Sequence, residues 1–532
     1  MSPLRDAVVA GRTTLGIELG STNIKACLVG PDQATLAVGS HTWENQFVDR
    51  VWTYSLEAVH EGLAAAFAAL ASDVRERYGV GLRTVGGLGV SAMMHGYLAF
   101  DAADHLLVPF RTWRNTSTGP AAAELTEALG FNIPLRWSVA HLYQAVVDAE
   151  PHVPDVASLT TLAGYVHLLL TGERVLGVGD ASGVFPVDAA TGDYDAAMLA
   201  TFDSLAAQRG FTTPLRDLLP AVLPAGATAG HLTAAGAALL DPTGALQPGV
   251  PLCPPEGDAG TGMVATNAVA PRTGNVSAGT SIFAMVVLER ALARVHEEID
   301  VVTTPSGDPV AMVHCNNGSS ELGAWAGVFG QFARAIGSDA DQDAVFAALL
   351  GAALEGAPDG GGLLAYNYLS GETITGLDEG RPMIVRTPGS TLDLANFART
   401  QLYGVFATLA LGMRTLAAEG VEVDALLAHG GLFRTAGVAQ RLLAAAVGAP
   451  VAVASTAGEG GAWGVAVLAA YTVAVAGGES RTLAAWLDEQ VFAQAETVVA
   501  APDPADVAGM AAYLETYTAG LAVQHAAVAA IH

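Results

Sequence analysis

Two short turns in this 532-residue chain carry the residue types that grip an anion. Gly20, Ser21 and Thr22 interrupt the string GIELGSTNIKACLV, and Gly279, Thr280 and Ser281 interrupt GNVSAGTSIFAMVV. A glycine followed by two hydroxyl residues between two strands lets the backbone come close to phosphate oxygens, offering amide N–H groups and two hydroxyls. Each turn alone reads equally as an ordinary hairpin, since Gly and Ser are common turn residues. Together they say more. Both strings read strand, turn, strand, about half a chain apart, and self-similarity on that scale argues for duplicated domains. Two such turns could hold one polyphosphate.

The elements that must position these turns are those of an α/β protein. Short β-rich runs alternate with long Ala/Leu-rich stretches of helical period. The pattern predicts strands over 15–19, 25–29, 85–90, 274–277, 282–287, 425–428 and 451–454, and helices over 56–78, 258–268, 396–418 and 437–447. Pro and Gly thicken between Leu219 and Gly262, which marks turns close to a domain boundary. The two halves are read as domains over 11–269 and 270–532.

Composition removes several function classes. The chain is too long for a single core. Its 24 Lys+Arg against 52 Asp+Glu give a net charge of −28, a field that repels phosphate backbones and anionic lipid, so nucleic acid and membrane are not expected partners. With 51% hydrophobic residues it is not a disordered chain. The window 460–478 is uncharged and long enough to span a bilayer, but it is built from Ala, Val and Gly without basic or aromatic flanks, and a buried α/β helix reads the same way. The first residues enter a strand pattern without the profile of a secretory leader. Cys27, Cys253 and Cys315 are odd in number and widely spaced, which suggests neither disulfides nor zinc and fits a reducing cytoplasm.

In this setting the sequence resembles the FGGY carbohydrate kinases of the actin-like ATPase superfamily, through nearly its whole length and in the family's order. GIELGSTNIKACLV is similar to the first phosphate motif, VSAMMHGYLAFD to the sugar-contacting Met-His-Gly segment, and GDASGVFPVD to a later segment of the first domain. PPEGDAGTGMVATNAV resembles the segment holding the catalytic aspartate, and GNVSAGTSIFAMV the second phosphate motif. LLAYNYLSGETITG resembles the Ser-Gly-Glu segment, LLAHGGLFRTAGVAQRLLAAAVGAPV the adenosine motif, and GEGGAWGVAVLAA the helix that follows it. The resemblance implies two actin-like (ribonuclease H-like) α/β domains with a catalytic cleft between them, and ATP and Mg²⁺ as cofactors.

It also implies roles. Asp258 becomes the base that takes a proton from the attacking hydroxyl, although from the residues alone an Asp before a helix is a plain N-cap. Glu18 stands where the family generally has an Asp that organises Mg²⁺ through water. Its extra methylene moves the carboxylate by about one bond length, a change to which an octahedral ion is sensitive. Lys25 lies near the phosphates or at a strand edge. Met94 and His95 match the sugar wall, where an isolated His is otherwise a core residue. Trp113 belongs to a sugar segment whose usual Trp-Asn-Asp order is broken by Arg114, and it stacks on a sugar or fills the core. Asp180, Ser182, Asn316 and Asn317 read as cleft polar groups or as loop residues. His429, Gly430 and Gly431 resemble the adenine and ribose shelf or a bare helix start. Arg434 reaches the nucleotide or sits on the surface, and Glu459 follows the adenosine motif without an assigned contact.

The reading is an ATP-dependent sugar kinase, with a ketopentose such as xylulose as acceptor and a homodimer as one open assembly. Its rivals are an actin-like ATPase that phosphorylates no small molecule and a sugar-binding regulator that has lost catalysis.

Overall fold

The computed structural model describes residues 3–435, 437–454 and 460–531, Ala454 by its backbone alone, so Glu459 lies outside the described residues. The chain forms two compact units. The first comprises Met1–Val269, Val301–Val310 and Ala457–Gln494, and the second Ala270–Asp300, Ala311–Thr456 and Ala495–His532. Each has its own sheet.

In the first unit, strands β1 (Thr14–Leu19), β2 (Asn23–Val29), β3 (Thr35–Thr42), β4 (Gly87–Ala92) and β5 (Glu256–Gly257) form a sheet in the order β3-β2-β1-β4-β5. The pairs β1–β2 and β2–β3 are antiparallel, while β4 runs parallel to β1 and β5 parallel to β4. The second unit holds β6 (Thr273–Ala278), β7 (Ile282–Val287), β8 (Ile299–Thr303), β9 (Pro309–Cys315), β10 (Ala425–His429), β11 (Val451–Ala454) and β12 (Thr497–Ala500), in the order β8-β9-β7-β6-β10-β11-β12. The run β9-β7-β6-β10-β11 repeats β3-β2-β1-β4-β5. The internal echo of the sequence is therefore a repeated sheet plan, and the duplicated actin-like architecture is present.

Local chemistry explains most boundaries. Helix α1 (Leu56–Tyr78) starts where Ser55 accepts the Ala58 N–H and stops at Gly79, which takes the left-handed conformation at φ 67° and returns its N–H to Arg75. Val59, Leu63, Phe67, Leu70 and Val74 supply its buried face. Helix α2 (Asp258–Ala265) is capped by Gly257, so Asp258 is the first helical residue and not the cap. Helix α3 (Leu394–Ala418) is capped by the Asp393 side chain, which accepts from the Asn396 N–H.

The uncharged window becomes helix α4 (Gly460–Ala476), buried on nearly every face within the first unit although it comes from the second half of the sequence. Among the described residues no helix is long and apolar enough to cross a membrane. It lies so close to β1 that a Cβ on Gly16 would sit 1.9 Å from the Ala462 carbonyl oxygen and 2.7 Å from the Ala466 nitrogen. Both obstacles are backbone and cannot rotate aside. Gly16→Ala is therefore expected to destabilise the protein by about 1–3 kcal/mol, the usual cost of overpacking, read from the midpoint of a denaturant unfolding curve.

The three cysteines are buried and none is in a disulfide. The segment 301–310 is a second excursion into the first unit. There the Thr303 hydroxyl donates to the Val178 carbonyl (3.0 Å), and the Thr303 N–H donates to Ser182 Oγ (2.9 Å).

Candidate active site

The first phosphate turn is shaped by pulling its carbonyls away. Gly20 O accepts from Trp43 Nε1 (2.7 Å), Ser21 O from the Tyr54 hydroxyl (2.7 Å) and Thr22 O from the Trp43 N–H (3.0 Å). Trp43 and Tyr54 stack at 4.1 Å beneath it. With its carbonyls engaged, the turn keeps Ser21 half-buried and Thr22 exposed, the Thr22 hydroxyl accepting from Asn23 Nδ2 (3.0 Å).

Beside this turn the β1–β2 register sets Glu18 opposite Lys25. Glu18 uses its extra methylene to reach the start of α4, where Oε2 accepts the Ala462 N–H (3.2 Å) and Oε1 fills the space over Gly461. Burial raises its pKa to about 7, the Asp258 charge adds to the rise, and Lys25 and the Ala462 N–H oppose it. That Glu18 senses Asp258 brings the two carboxylates into one neighbourhood.

Asp258 starts α2 with Oδ1 accepting both the Met94 N–H (3.2 Å) and the Ala259 N–H (3.0 Å). The residue reaches solvent, and both bonds fall on Oδ1, so Oδ2 is the oxygen left for an incoming group. The surrounding protein withholds hydration and raises the Asp258 pKa, against the pull of these N–H groups and of Arg136. His95 follows Met94 at a positive φ of 68°, and its Nδ1 faces the Gly183 carbonyl at 3.0 Å. A ring nitrogen facing a carbonyl must carry the proton, which makes Nε2 an acceptor. Burial, helped by the Arg136 charge, lowers the His95 pKa to about 3, so the ring is neutral at ordinary pH.

Glu18, Lys25, Gly20 to Thr22, Met94, His95 and Asp258 are thus assembled in the first unit. Trp113 joins a different arrangement: the Arg114 guanidinium lies 5.2 Å from its ring centroid and 5.4 Å from that of Trp52. Arg114 is close enough to Tyr54, beneath the first turn, to counter part of the pKa rise that burial gives it. The Arg that breaks the Trp motif therefore lies between Trp113 and Tyr54, whose hydroxyl holds the Ser21 carbonyl.

Asp180 is buried behind Asp258. Thr161 donates to its Oδ2 (2.6 Å), while Oδ1 has no hydrogen-bond partner. Burial raises its pKa to about 7 from an ordinary 3.8, Thr161 opposing and Asp258 adding to the rise. Between those values the folded state keeps a proton that the unfolded state has lost, so this group makes stability fall as pH rises from 3.8 to 7 and level off above. Asp180→Asn is expected to remove that decline, on the order of 4 kcal/mol across the window, measured as unfolding free energy against pH.

In the second unit, the Gly279–Ser281 turn is exposed at Gly279 and Thr280. Gly279 N–H donates to Ser281 O (2.9 Å), and Gly318 and Ser319 clamp the turn by donating to Thr280 O (2.7 Å) and Gly279 O (2.8 Å). Gly430, at φ 113°, packs on the end of β6, where a Cβ would meet the Ala278 oxygen at 2.2 Å. The adenosine motif therefore abuts the second phosphate turn, with Gly431 and Arg434 exposed beside it in a short 3-10 turn.

Asn317 is a bracket: its Oδ1 accepts from Leu369 and Ser370 N–H groups and its Nδ2 donates to Glu372 Oε2 (3.1 Å). Asn367 in turn donates to the carbonyls of Asn317 and Gly318. Gly318, Asn367 and Glu372 were not singled out from the sequence. The NYLSGE string that carries two of them was the available signal, and it ties the Ser-Gly-Glu segment to the second turn.

Comparison with known proteins identifies the family. Residues 13–264 match the N-terminal domain, and residues 274–473 the C-terminal domain, of the FGGY family of carbohydrate kinases. A xylulose kinase of Klebsiella pneumoniae is 26% identical over 243 residues, which cover 41% of this chain and 44% of that protein, so the chain spans less than half the length of this relative in the match. The crystal structure of xylulose kinase from Rhodospirillum rubrum shares the fold at a TM-score of 0.77 and 20% identity, covering 97% of this chain and 99% of that one. Gluconate kinase from Lactobacillus acidophilus does so at 0.75 and 15%, covering 97% and 98%. With both of its domains matched in order, the chain belongs to the FGGY family of carbohydrate kinases.

Proposed function

We propose that this protein transfers the γ-phosphoryl group of ATP to a hydroxyl of a sugar, with a ketopentose such as xylulose as the preferred acceptor. The observation that carries the reading is Asp258: an acid held at Oδ1 by two backbone N–H groups, one of them from Met94, with Oδ2 open and neutral His95 next in the chain.

In this reading the sugar lies against Met94 and His95, with Nε2 accepting one of its hydroxyls, and Trp113 offers a ring face. Asp258 Oδ2 takes the proton of the reacting hydroxyl as its oxygen bonds to the γ-phosphorus. The bond to the β-phosphate oxygen breaks, and its electron pair leaves with ADP. The turns at Gly20 to Thr22 and Gly279 to Ser281, with Lys25, receive the triphosphate, and Gly430, Gly431 and Arg434 the nucleoside end.

Among the described residues no group of three or more His, Cys, Asp or Glu side chains could hold a metal. Mg²⁺ needs no such cage in kinases, where one or two carboxylates join phosphate oxygens and water. Glu18 and Asp258, two carboxylates near enough for the Asp258 charge to add to the pKa rise that burial gives Glu18, fit that donor set. The ion, when bound, would neutralise phosphate charge there.

The test is ATP consumption with Mg²⁺ over a panel of ketoses, polyols and sugar acids. One sugar raising turnover well above the sugar-free rate supports the kinase and names its acceptor. Hydrolysis unaffected by every sugar rejects it in favour of an actin-like ATPase or a regulator.

A further inference from the structure

Glu256 is an acid with no share in the chemistry so far, yet it is almost fully buried, at 1% exposure, two residues before Asp258. Strand β5 places it: Glu256 pairs with Ser91 and Gly257 with Ala92, in parallel with the strand that leads to Met94 and His95. Its two carboxylate oxygens are both used on one neighbouring turn. Oε1 accepts the Gly179 N–H at 3.3 Å and Oε2 the Asp180 N–H at 2.9 Å.

The turn is shaped to receive it. A Cβ on Gly177 would lie 2.2 Å from Oε1, and one on Gly179 would lie 2.4 Å from Oε2. Neither position tolerates a side chain while the carboxylate is there. The same turn carries Gly183, whose carbonyl fixes the His95 ring, and Asp180, whose unpartnered Oδ1 stands 3.3 Å from where a Cβ on Gly257 would be. Glu256 therefore touches the turn whose Gly183 carbonyl holds His95 while sharing strand β5 with Gly257, the residue before Asp258. Burying an acid is costly, and the Gly179 and Asp180 N–H groups that offset the cost lie in the segment whose Gly183 carbonyl fixes His95.

We infer that Glu256 is a positioning residue for the sugar: it fastens the Gly177–Gly183 turn to the strand ending at Asp258, and so sets the spacing between the His95 acceptor and the Asp258 base. The assignment rests on the kinase reading. It predicts a selective defect, because the carboxylate acts on the segment that fixes His95.

The test is steady-state kinetics of Glu256→Gln with sugar and ATP varied separately, beside its melting temperature. The amide keeps the volume but turns an NH2 group toward a backbone N–H, so one of the two bonds is lost. The expected result is a fall of about tenfold or more in kcat/KM for the sugar, the scale set by small misplacements of reacting groups, with KM for ATP within about twofold of the parent. Glu256→Asp, which keeps the acid but shortens its reach by one methylene and adds no bulk, is expected to reproduce it, and decides the matter if Glu256→Gln does not fold. Unchanged sugar kinetics, or equal losses for both substrates in step with the folded fraction, overturn the assignment while leaving the kinase reading intact. A parent that phosphorylates no sugar overturns both.

Discussion

Asp258→Asn is expected to lower the rate of sugar phosphorylation by about 10²–10⁴-fold, the range associated with a positioned general base, with fold and nucleotide binding retained. The substitution is discriminating because the oxygen that holds the residue in place is kept. Oδ1 accepts from Met94 and Ala259, and an Asn carbonyl can do the same. Only Oδ2 changes, from a proton acceptor to an amide that can take no proton. Helix α2 does not depend on the carboxylate either, since Gly257 is its cap. A loss of activity with an unchanged melting temperature would therefore report chemistry and not folding. In the parent, sugar kcat/KM should rise with pH as Asp258 ionises, at a pH above the ordinary aspartate range because burial raises its pKa. A variant keeping more than about a tenth of parental turnover would remove Asp258 from the base role, since base catalysis is worth at least tenfold more than that.

The neighbourhood of Asp258 shows where sequence reasoning runs out. The two glycine-hydroxyl turns were legible as turns because their signal is local: glycine and two hydroxyls between apolar strands. Helix α1 was legible from 56 to 78 because its buried face has helical spacing and its ends carry Ser55 and Gly79. Helix α4 was ambiguous for the opposite reason. It is apolar all round, so its pattern names no face, and the Gly16 that receives it lies in the other half of the sequence. That same distance hid what Glu18 does with its longer side chain, because its partner, the Ala462 N–H, belongs to α4. Reading Glu18 against the family's Asp finds the departure but not its consequence. Glu256 offered no periodic signal, and its partners at Gly179 and Asp180 are set by tertiary packing. Asn317 was visible as a polar residue in a loop, but its bracket with Leu369, Ser370 and Glu372 was not. Residues that touch a ligand tend to show in short strings, whereas those that hold them in place are distributed over the fold.

That distinction makes Gly279→Ala a sharp test of the second turn. Glycine can be required by the fold or by a ligand, and the two cases separate on geometry. Gly318, which clamps the turn, is required by the fold: a Cβ there would meet the Gly279 oxygen at 2.4 Å. Gly279 is not. It is exposed, and a Cβ would meet nothing nearer than the Ser281 oxygen at 3.9 Å. The folded chain has room for a methyl group at that position, which leaves a bound molecule as the other candidate to require the glycine. If that is a triphosphate, the added methyl occupies the space its oxygens need, and kcat/KM for ATP should fall by about a hundredfold, as misplacement of reacting groups by an ångström does. Stability should stay within about 0.5 kcal/mol of the parent, as for other exposed substitutions. Gly323→Ala is the matched control: nothing lies within 4 Å of its Cβ, and it sits on the helix Ser320–Ala335, so neither kinetics nor stability should suffer. Nucleotide titration followed by calorimetry, with chemical unfolding of the same samples, reads both quantities. Equal ATP affinity in Gly279→Ala and the parent would leave the turn as a plain hairpin and return the triphosphate to the first turn alone.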